Sequence, residues 1–188
     1  MMSSENQDKP KINFPYLLKK NKGKLLSFFI LLTLGLLILI GLNEYTKRKN
    51  LKISQDFNKA KIFIETKNKD QALKILDEII YKKNKFYSPS SLNLVIDNEL
   101  VKNKDKILLY FDEIISNSKL DQDTKNLFIF KKTIFIGDEI SEDVLLNNLK
   151  PLIQSNSIWK NSVSDYIKQY YLSKNEFKKA KEFDKSLK

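Results

Sequence analysis

The longest apolar run in the chain extends from Leu25 to Leu42 and contains no charged residue. Lysines flank it, with Lys24 directly before it and Lys47 soon after it. A helix needs about 20 mostly apolar residues to cross the hydrocarbon core of a bilayer, and flanking lysines can extend their ammonium groups to the headgroups. A soluble core helix is rarely apolar on every face for five turns. The pattern therefore predicts a transmembrane helix over residues 25–42.

A removable export signal is the rival interpretation of this segment. Cleavable signals have apolar regions of about 7–15 residues that end in a small-x-small site. The run here is longer, and residues 41–45 read Gly-Leu-Asn-Glu-Tyr without an Ala-x-Ala pattern. An uncleaved signal-anchor fits better. It divides the chain into a short cytoplasmic tail (1–24), the anchor (25–42), a juxtamembrane linker (43–50) and a distal domain (51–188).

The charges beside the anchor give little information about its orientation. Six lysines precede the apolar run, and Lys47, Arg48, Lys49 and Lys52 follow it closely, so the positive-inside rule hardly discriminates. A short N-terminal tail before a long distal domain is typical of a signal-anchor whose tail stays in the cytoplasm. We therefore expect the distal domain on the exported side of the membrane.

Beyond the anchor, apolar positions recur with helical spacing. Two such stripes are Ala72, Ile75, Leu76, Ile79 and Ile80, and Ile107, Tyr110, Phe111, Ile114 and Ile115. The only prolines and glycine of this part are Pro89, Pro151 and Gly137. A β-rich domain would need more turn-forming residues than these. The sequence therefore predicts an all-α fold. Ser88, Ser141 and Ser157 are candidate N-caps, Gly137 is a candidate helix stop, and Pro151 predicts a kink or break in its helix.

An internal repeat is the most specific signal of the distal part. "NKDQALKILDEII" at residues 68–80 and "NKDKILLYFDEII" at residues 103–115 share eight of thirteen residues at an offset of 35. Tetratricopeptide units repeat about every 34 residues as helix–turn–helix, and they stack because one hairpin cannot bury its own apolar face. We therefore predict a tetratricopeptide-like, right-handed array of about four hairpins. Their helices are expected at 51–67 and 70–83, 89–101 and 105–117, 122–136 and 142–153, and 158–172 and 175–187.

The composition argues against most kinds of chemistry. The chain has no histidine and no cysteine, so the usual nucleophile–base pairs and zinc sites are excluded, and it has no glycine-rich phosphate loop. We expect no enzymatic activity and no cofactor. The net charge of +11 comes from 34 basic residues of which Arg48 is the only arginine. Nucleic-acid readers rely on arginine, so a solvated lysine surface is the better interpretation and no nucleic-acid partner is expected.

The acidic pairs Asp77-Glu78 and Asp112-Glu113 sit beside the two apolar stripes. Contacts with nearby lysines explain them better than carboxylate catalysis does.

Four aromatic residues near the C-terminus form the one candidate binding site. They are Trp159, Tyr166, Tyr170 and Tyr171. Aromatic side chains on one helix can line a groove for an extended or helical peptide. They can equally pack between hairpins, and the sequence favours packing without excluding the groove.

The whole layout resembles the YfgM-like family, tetratricopeptide-like ancillary subunits of the bacterial Sec translocon. The resemblance rests on "KKNKGKLL" before the anchor, "GLNEYTKRK" after it, the spacing of Ala60, Ala72 and Leu76, and the closing stretch of residues 149–183. It implies a single-pass protein of the bacterial inner membrane with its tail in the cytoplasm and its domain in the periplasm. It also implies partners: translocon subunits, exported polypeptides and periplasmic chaperones, with no catalytic residues.

Two other functions remain open at this stage. The same anchored architecture would suit a structural factor of the cell envelope that acts in division or outer-membrane assembly. An enzyme with an unrecognised carboxylate site would instead require a closed polar pocket.

Overall fold

The computed structural model describes residues 22–137, 140–155 and 157–186. These residues form eight helices and no strand, so the all-α prediction is confirmed. The helices are α1 (Lys22–Glu65), α2 (Lys69–Tyr81), α3 (Tyr87–Asp97), α4 (Lys104–Ile115), α5 (Gln122–Ile136), α6 (Glu142–Gln154), α7 (Lys160–Ser173) and α8 (Phe177–Ser186). The predicted elements agree with these bounds to within a few residues, except that α1 begins much earlier.

The chain divides into two compact units, Met1–Lys49 and Asn50–Lys188. The first unit contains the apolar part of α1, which is long and apolar enough to cross a membrane; α1 is the one such helix among the described residues. In the apolar part, residues 26–42, the large apolar side chains are about half exposed or more, from 48% at Leu32 to 69% at Leu31. The cytoplasmic tail predicted for residues 1–24 lies mostly outside the described residues.

The juxtamembrane segment predicted as a linker, residues 43–50, is helical. Residues 43–50 contain neither glycine nor proline, the two residues that most disfavour a helix interior. Arg48 and Glu44 also form an i,i+4 ion pair, with Nε and Oε1 3.2 Å apart, which supports an exposed helix.

In the second unit, each helix from α2 to α8 packs against the next one, and α2 also packs against α4. The distal end of α1 joins this packing. Ala60 is fully buried in a core cluster, the rings of Phe57 and Tyr87 lie 5.3 Å apart, and Lys82 pairs with Asp56 at 3.4 Å.

The interior of the second unit contains two apolar clusters. The first is built on α1 to α5 around Leu76, Tyr110 and Phe111. The second is built on α5 to α8 around Leu145 and Ile167. Helix α5 belongs to both, with Phe128 in the first and Phe130 in the second. This double role explains why its sequence, "LFIFKKTIFI", is apolar on nearly every face.

Four helices end in the same way, on a residue with a positive φ angle two positions after the last helical residue. These residues are Lys67, Lys83, Glu99 and Asn175, with φ from 49° to 63°. After α1, α3 and α7 the following N–H bonds a carbonyl five residues earlier, as in Leu100 N–H to Val95 O at 3.0 Å. This is the Schellman arrangement, which usually has glycine at the left-handed position.

Two predicted N-caps, Ser88 and Ser157, were wrong. The N-cap of α7 is Trp159, so Ser157 does not cap that helix. Ser88 does not cap α3, whose N-cap is Phe86. The Asn84 carboxamide instead accepts hydrogen bonds from the N–H groups of Phe86 and Tyr87, so the helix starts earlier and Ser88 lies in its first turn. Pro151 lies inside α6 without breaking it, since the helix continues to Gln154. A kink at Pro151 stays a prediction. Ser141 and Gly137 do cap α6 and α5, as predicted.

Candidate functional site

The four predicted site aromatics lie at the junction of α5, α6, α7 and α8. Trp159 is the N-cap residue of α7, and its Nε1–H donates a hydrogen bond to the Asp123 carbonyl in the first turn of α5, at 2.9 Å. The ring of Tyr166 lies edge-on to Phe130, with 5.6 Å between the ring centroids. Both residues therefore join α7 to α5.

The other two tyrosines join α7 to the segment that begins α6. Tyr170 Oη donates a hydrogen bond to the Ile140 carbonyl at 3.2 Å. Tyr171 is buried, and its hydroxyl donates to Glu142 Oε1 at 2.9 Å. The second carboxylate oxygen of Glu142 accepts from Lys179 Nζ on α8, at 2.5 Å. One carboxylate thus links three helices.

These contacts shift the pKa values of the groups involved. The hydrogen bond from Lys179, with a smaller contribution from Tyr171, lowers the pKa of the Glu142 carboxyl. Burial and the bond to Glu142 raise the pKa of the Tyr171 hydroxyl to about 12. The contact with Glu142, reinforced by Glu176, raises the pKa of Lys179. At neutral pH the cluster therefore comprises a neutral phenol, a carboxylate and an ammonium group.

All four aromatics are thus engaged in contacts between helices. Indole N–H and phenol O–H groups require partners when they are buried, and the three described here bond to neighbouring helices or their caps. The peptide groove predicted for Trp159, Tyr166, Tyr170 and Tyr171 stays a prediction.

A different concave surface lies between α3, α4 and α5. It contains an open cavity of about 260 Å³. The lining residues are Asn93, Ile96, Asp97, Phe111, Lys131, Ile134 and Phe135. A second cavity of about 570 Å³ adjoins it, because both are lined by Ile96 and Phe135. We call the two together the α3–α5 groove.

The α3–α5 groove has an apolar floor and polar edges. Phe111 of α4 is buried beneath it, and its ring lies 5.8 Å from that of Phe135. Ile134 is 45% exposed. At the edge, Lys131 Nζ on α5 donates a hydrogen bond to Asn93 Oδ1 on α3 at 2.9 Å. The surface can therefore accept apolar side chains of a bound segment while its polar edge contacts the backbone.

The sequence of α5 contains one signal for this groove. The run "LFIFKKTIFI" is apolar on nearly every face, so some of its apolar side chains remain exposed once the core positions of the helix are filled. Ile134 is such a side chain, because the clusters of the second unit take Phe128 and Phe130 from the same helix.

Within the acidic pairs, Asp77, Asp112 and Glu113 make structural contacts with lysines and a tyrosine. Asp77 Oδ1 accepts a hydrogen bond from the Tyr110 hydroxyl and lies 3.4 Å from Lys106 Nζ. Asp112 pairs with Lys132 at 2.5 Å, and Glu113 pairs with Lys83 at 3.6 Å. Burial, followed by the bond to Asp77, raises the pKa of Tyr110. Within the described ranges, no group of three or more metal-ligating side chains is placed to hold a metal ion.

Comparisons with known proteins identify no relative. A scan against protein-family models found no match, and searches of curated proteins and of solved structures found no significant match. The resemblance to the YfgM-like family therefore stays a prediction.

Proposed function

We propose that this protein is a membrane-anchored scaffold that binds segments of other proteins on a helical-repeat domain and catalyses no reaction. The observation that carries the proposal is the exposed apolar surface of the first part of α1, where side chains from Leu26 to Leu42 lack cover. An apolar surface of this length is stable when lipid surrounds it. We therefore propose that α1 is a single membrane anchor.

The second unit is proposed to be a tetratricopeptide-like array. Several hydrogen bonds between helices support this arrangement, because they join residues about one repeat of 35 residues apart. Asn84 bonds Asn50 across 34 residues, and Trp159 bonds Asp123 across 36. Tyr110 bonds Asp77 across 33. Stacking of successive hairpins brings equivalent positions together in this way.

The α3–α5 groove is the proposed binding surface. It lies between α3 and α5, the first helices of the second and third predicted hairpins, and has room for apolar side chains of a bound segment. Because the groove is open to solvent, it suits weak binding of many different segments. A membrane tether raises the effective concentration of such a weak binder near membrane-bound partners.

The narrower version of the proposal follows from the YfgM-like resemblance. The protein is then a bacterial inner-membrane protein with its N-terminus in the cytoplasm and its domain in the periplasm. Its partners are Sec translocon subunits, exported polypeptides and periplasmic chaperones, and it helps to transfer exported chains to those chaperones.

Site-specific photo-crosslinking in cells tests the binding function. A photoreactive residue replaces Ile134 in the groove, and the matched control replaces Val144, which is 46% exposed against 45% for Ile134. We expect adducts with translocon subunits or exported chains from the Ile134 position and far fewer from Val144. Equal labelling from both positions contradicts binding in the groove.

Topology and location are tested separately. External protease added to spheroplasts should remove the second unit if it is exported, while residues 1–24 stay protected. Adducts from Ile134 that contain only division or envelope-assembly proteins, with enrichment at the division site, would contradict the translocon version and leave the anchored scaffold intact.

A further inference from the structure

The loop between α2 and α3, residues 82–86, holds an aromatic side chain outward. Phe86 is 63% exposed, although aromatic residues are normally among the more buried ones. Lys83 and Lys85 beside it are exposed as well. We call this segment the α2–α3 loop.

The α2–α3 loop is fixed by a set of hydrogen bonds around Asn84. The Asn84 carboxamide oxygen accepts from the N–H groups of Phe86 and Tyr87, each at 2.9 Å. The Asn84 N–H donates to Ser88 Oγ at 2.9 Å, and the Ser88 hydroxyl donates to the Ile79 carbonyl at 2.6 Å. These hydrogen bonds order the backbone on both sides of Phe86.

The same asparagine attaches the loop to the start of the second unit. Asn84 Nδ2 donates a hydrogen bond to Asn50 Oδ1 at 2.9 Å. The residues after Asn50 add a second exposed apolar side chain, Leu51 at 58%, and an exposed lysine, Lys52. Two apolar and several basic side chains thus occur together around the Asn50–Asn84 bond.

This surface is close to the proposed anchor along the chain. Asn50 follows Leu42, the last residue of the apolar run, by eight positions. Eight residues span about 12 Å as a helix and at most about 28 Å when fully extended. Residues 43–50 are helical. If the anchor spans the bilayer, Asn50 therefore lies within about 12 Å of Leu42 and close to the headgroups.

We infer that the surface formed by Leu51, Lys52, Lys85 and Phe86 is a second membrane contact that binds anionic phospholipid headgroups. Phenylalanine and leucine enter the boundary between headgroups and acyl chains, and lysines near a membrane surface are attracted to anionic lipids. No acidic residue lies between Glu44 and Asp56. Asp56 and Glu113, which do face the loop, pair with Lys82 and Lys83, which are not part of this surface. The inference rests on the proposed membrane anchor.

Tryptophan fluorescence in vesicles tests the contact. Trp159 is the only tryptophan of the chain, so Trp159→Phe provides a silent background for the reporter Phe86→Trp. The full-length protein is reconstituted in vesicles of phosphatidylglycerol and phosphatidylcholine whose acyl chains are brominated near the headgroup. The matched reporter is Phe177→Trp, at a position 64% exposed against 63% for Phe86.

We expect the Phe86→Trp reporter to be blue-shifted and quenched by the brominated lipid, while Phe177→Trp is neither. Equal quenching of the two reporters overturns the inference.

The charge of the lipid is the second variable. Vesicles of phosphatidylcholine alone should reduce the quenching of Phe86→Trp several-fold, and so should the pair Lys52→Gln and Lys85→Gln in mixed vesicles. The control pair, Lys178→Gln and Lys181→Gln, removes the same charge from exposed positions of α8 and should leave the quenching unchanged. Quenching that is insensitive to lipid charge and to the first pair overturns the anionic-lipid site.

A third reporter separates this inference from the proposed function. Leu34→Trp in the same background places an indole within the apolar part of α1. If lipids brominated deep in the acyl chain quench Leu34→Trp but headgroup-level bromine leaves Phe86→Trp unquenched, the membrane contact is wrong and the anchor stands. If Leu34→Trp is not quenched, both the anchor and the membrane contact are wrong.

Discussion

The hydroxyl of Tyr110 on α4 donates a hydrogen bond to the carboxylate of Asp77 on α2, 33 residues earlier in the chain. Tyr110 is fully buried, whereas Asp77 is partly exposed and also lies 3.4 Å from Lys106 Nζ. The two residues come from the two copies of the sequence repeat. The bond therefore fixes one repeat against the next at the place where their apolar stripes meet.

Loss of this bond should lower stability. Tyr110→Phe keeps the buried ring and removes only the donor, so we expect the free energy of unfolding to fall by about 1–2 kcal/mol. Urea unfolding of the full chain in detergent micelles, followed by circular dichroism, measures the loss. Tyr81→Phe is the control, because Tyr81 is 49% exposed; it should change stability by less than about 0.5 kcal/mol. Equal losses would show that the Asp77 bond adds nothing.

Stability should also fall at alkaline pH because of Tyr171. Its pKa is about 12 in the folded protein against 10.0 for the ordinary phenol, so folding favours the neutral hydroxyl. This contribution is complete below pH about 10 and is lost as the pH rises towards about 12. We expect Tyr171→Phe to flatten the decline in unfolding free energy over that range, while Tyr45→Phe, at an exposed position, leaves it unchanged. An identical decline in Tyr171→Phe would contradict the assignment.

Glu142 gives the opposite dependence on pH. Its pKa is lowered chiefly by Lys179, so its contribution to stability is present at neutral pH and above, and is lost as the pH falls through the folded pKa. Glu142→Gln should therefore make the acid branch of the stability profile less steep. Lys179→Gln should have a similar effect, because it removes the main cause of the shift. Unchanged acid branches in both variants would exclude this ion pair as a source of stability.

Ala72 should tolerate no larger side chain. It is fully buried, on the face of α2 that also buries Leu76 and Ile79. Ala72→Leu should cost about 1–3 kcal/mol of unfolding free energy through overpacking. Gln71→Leu adds the same side chain at the neighbouring exposed position and should change stability by less than about 0.5 kcal/mol. A similar cost at both positions would indicate that the effect comes from helix propensity instead of packing.

The α3–α5 groove should lose its ligands when its floor is made polar. Ile134→Asp puts a carboxylate beside the apolar lining of the groove, so we expect much weaker crosslinking to client proteins at unchanged stability. The measurement is the recovery of adducts from a photoreactive residue at Asn93, on the opposite wall. Val144→Asp, with matched exposure, is the control. Retained crosslinking in Ile134→Asp would exclude this surface.

The sequence predicted most of the helices because their apolar stripes are regular. The repeat located α2 and α4, and the buried positions Leu76, Ile80, Ile107 and Ile114 all belong to the stripes that marked these helices. Local signals located the end of α5 and the start of α6. Gly137 ends α5 through its own backbone conformation, and Ser141 caps α6 through its own hydroxyl.

The sequence could not predict features that depend on distant residues. The groove combines side chains from α3, α4 and α5, and no local pattern relates Asn93 to Lys131. The structural role of Asn84 could not be predicted, because asparagine is common throughout this chain and nothing in the sequence distinguishes this one. Ser88 was interpreted as a cap, whereas its hydroxyl bonds the Ile79 carbonyl nine residues earlier. Tertiary contacts decide such positions.

The left-handed residues that end α1, α2, α3 and α7 are positions at which substitution can raise stability. Lys67 and Glu99 each adopt a backbone conformation that disfavours a β-carbon by roughly 1 kcal/mol. Glycine at these two positions should raise the melting temperature without altering a single buried side chain. A more thermostable protein is therefore accessible from the connections between helices, with the interior left as it is.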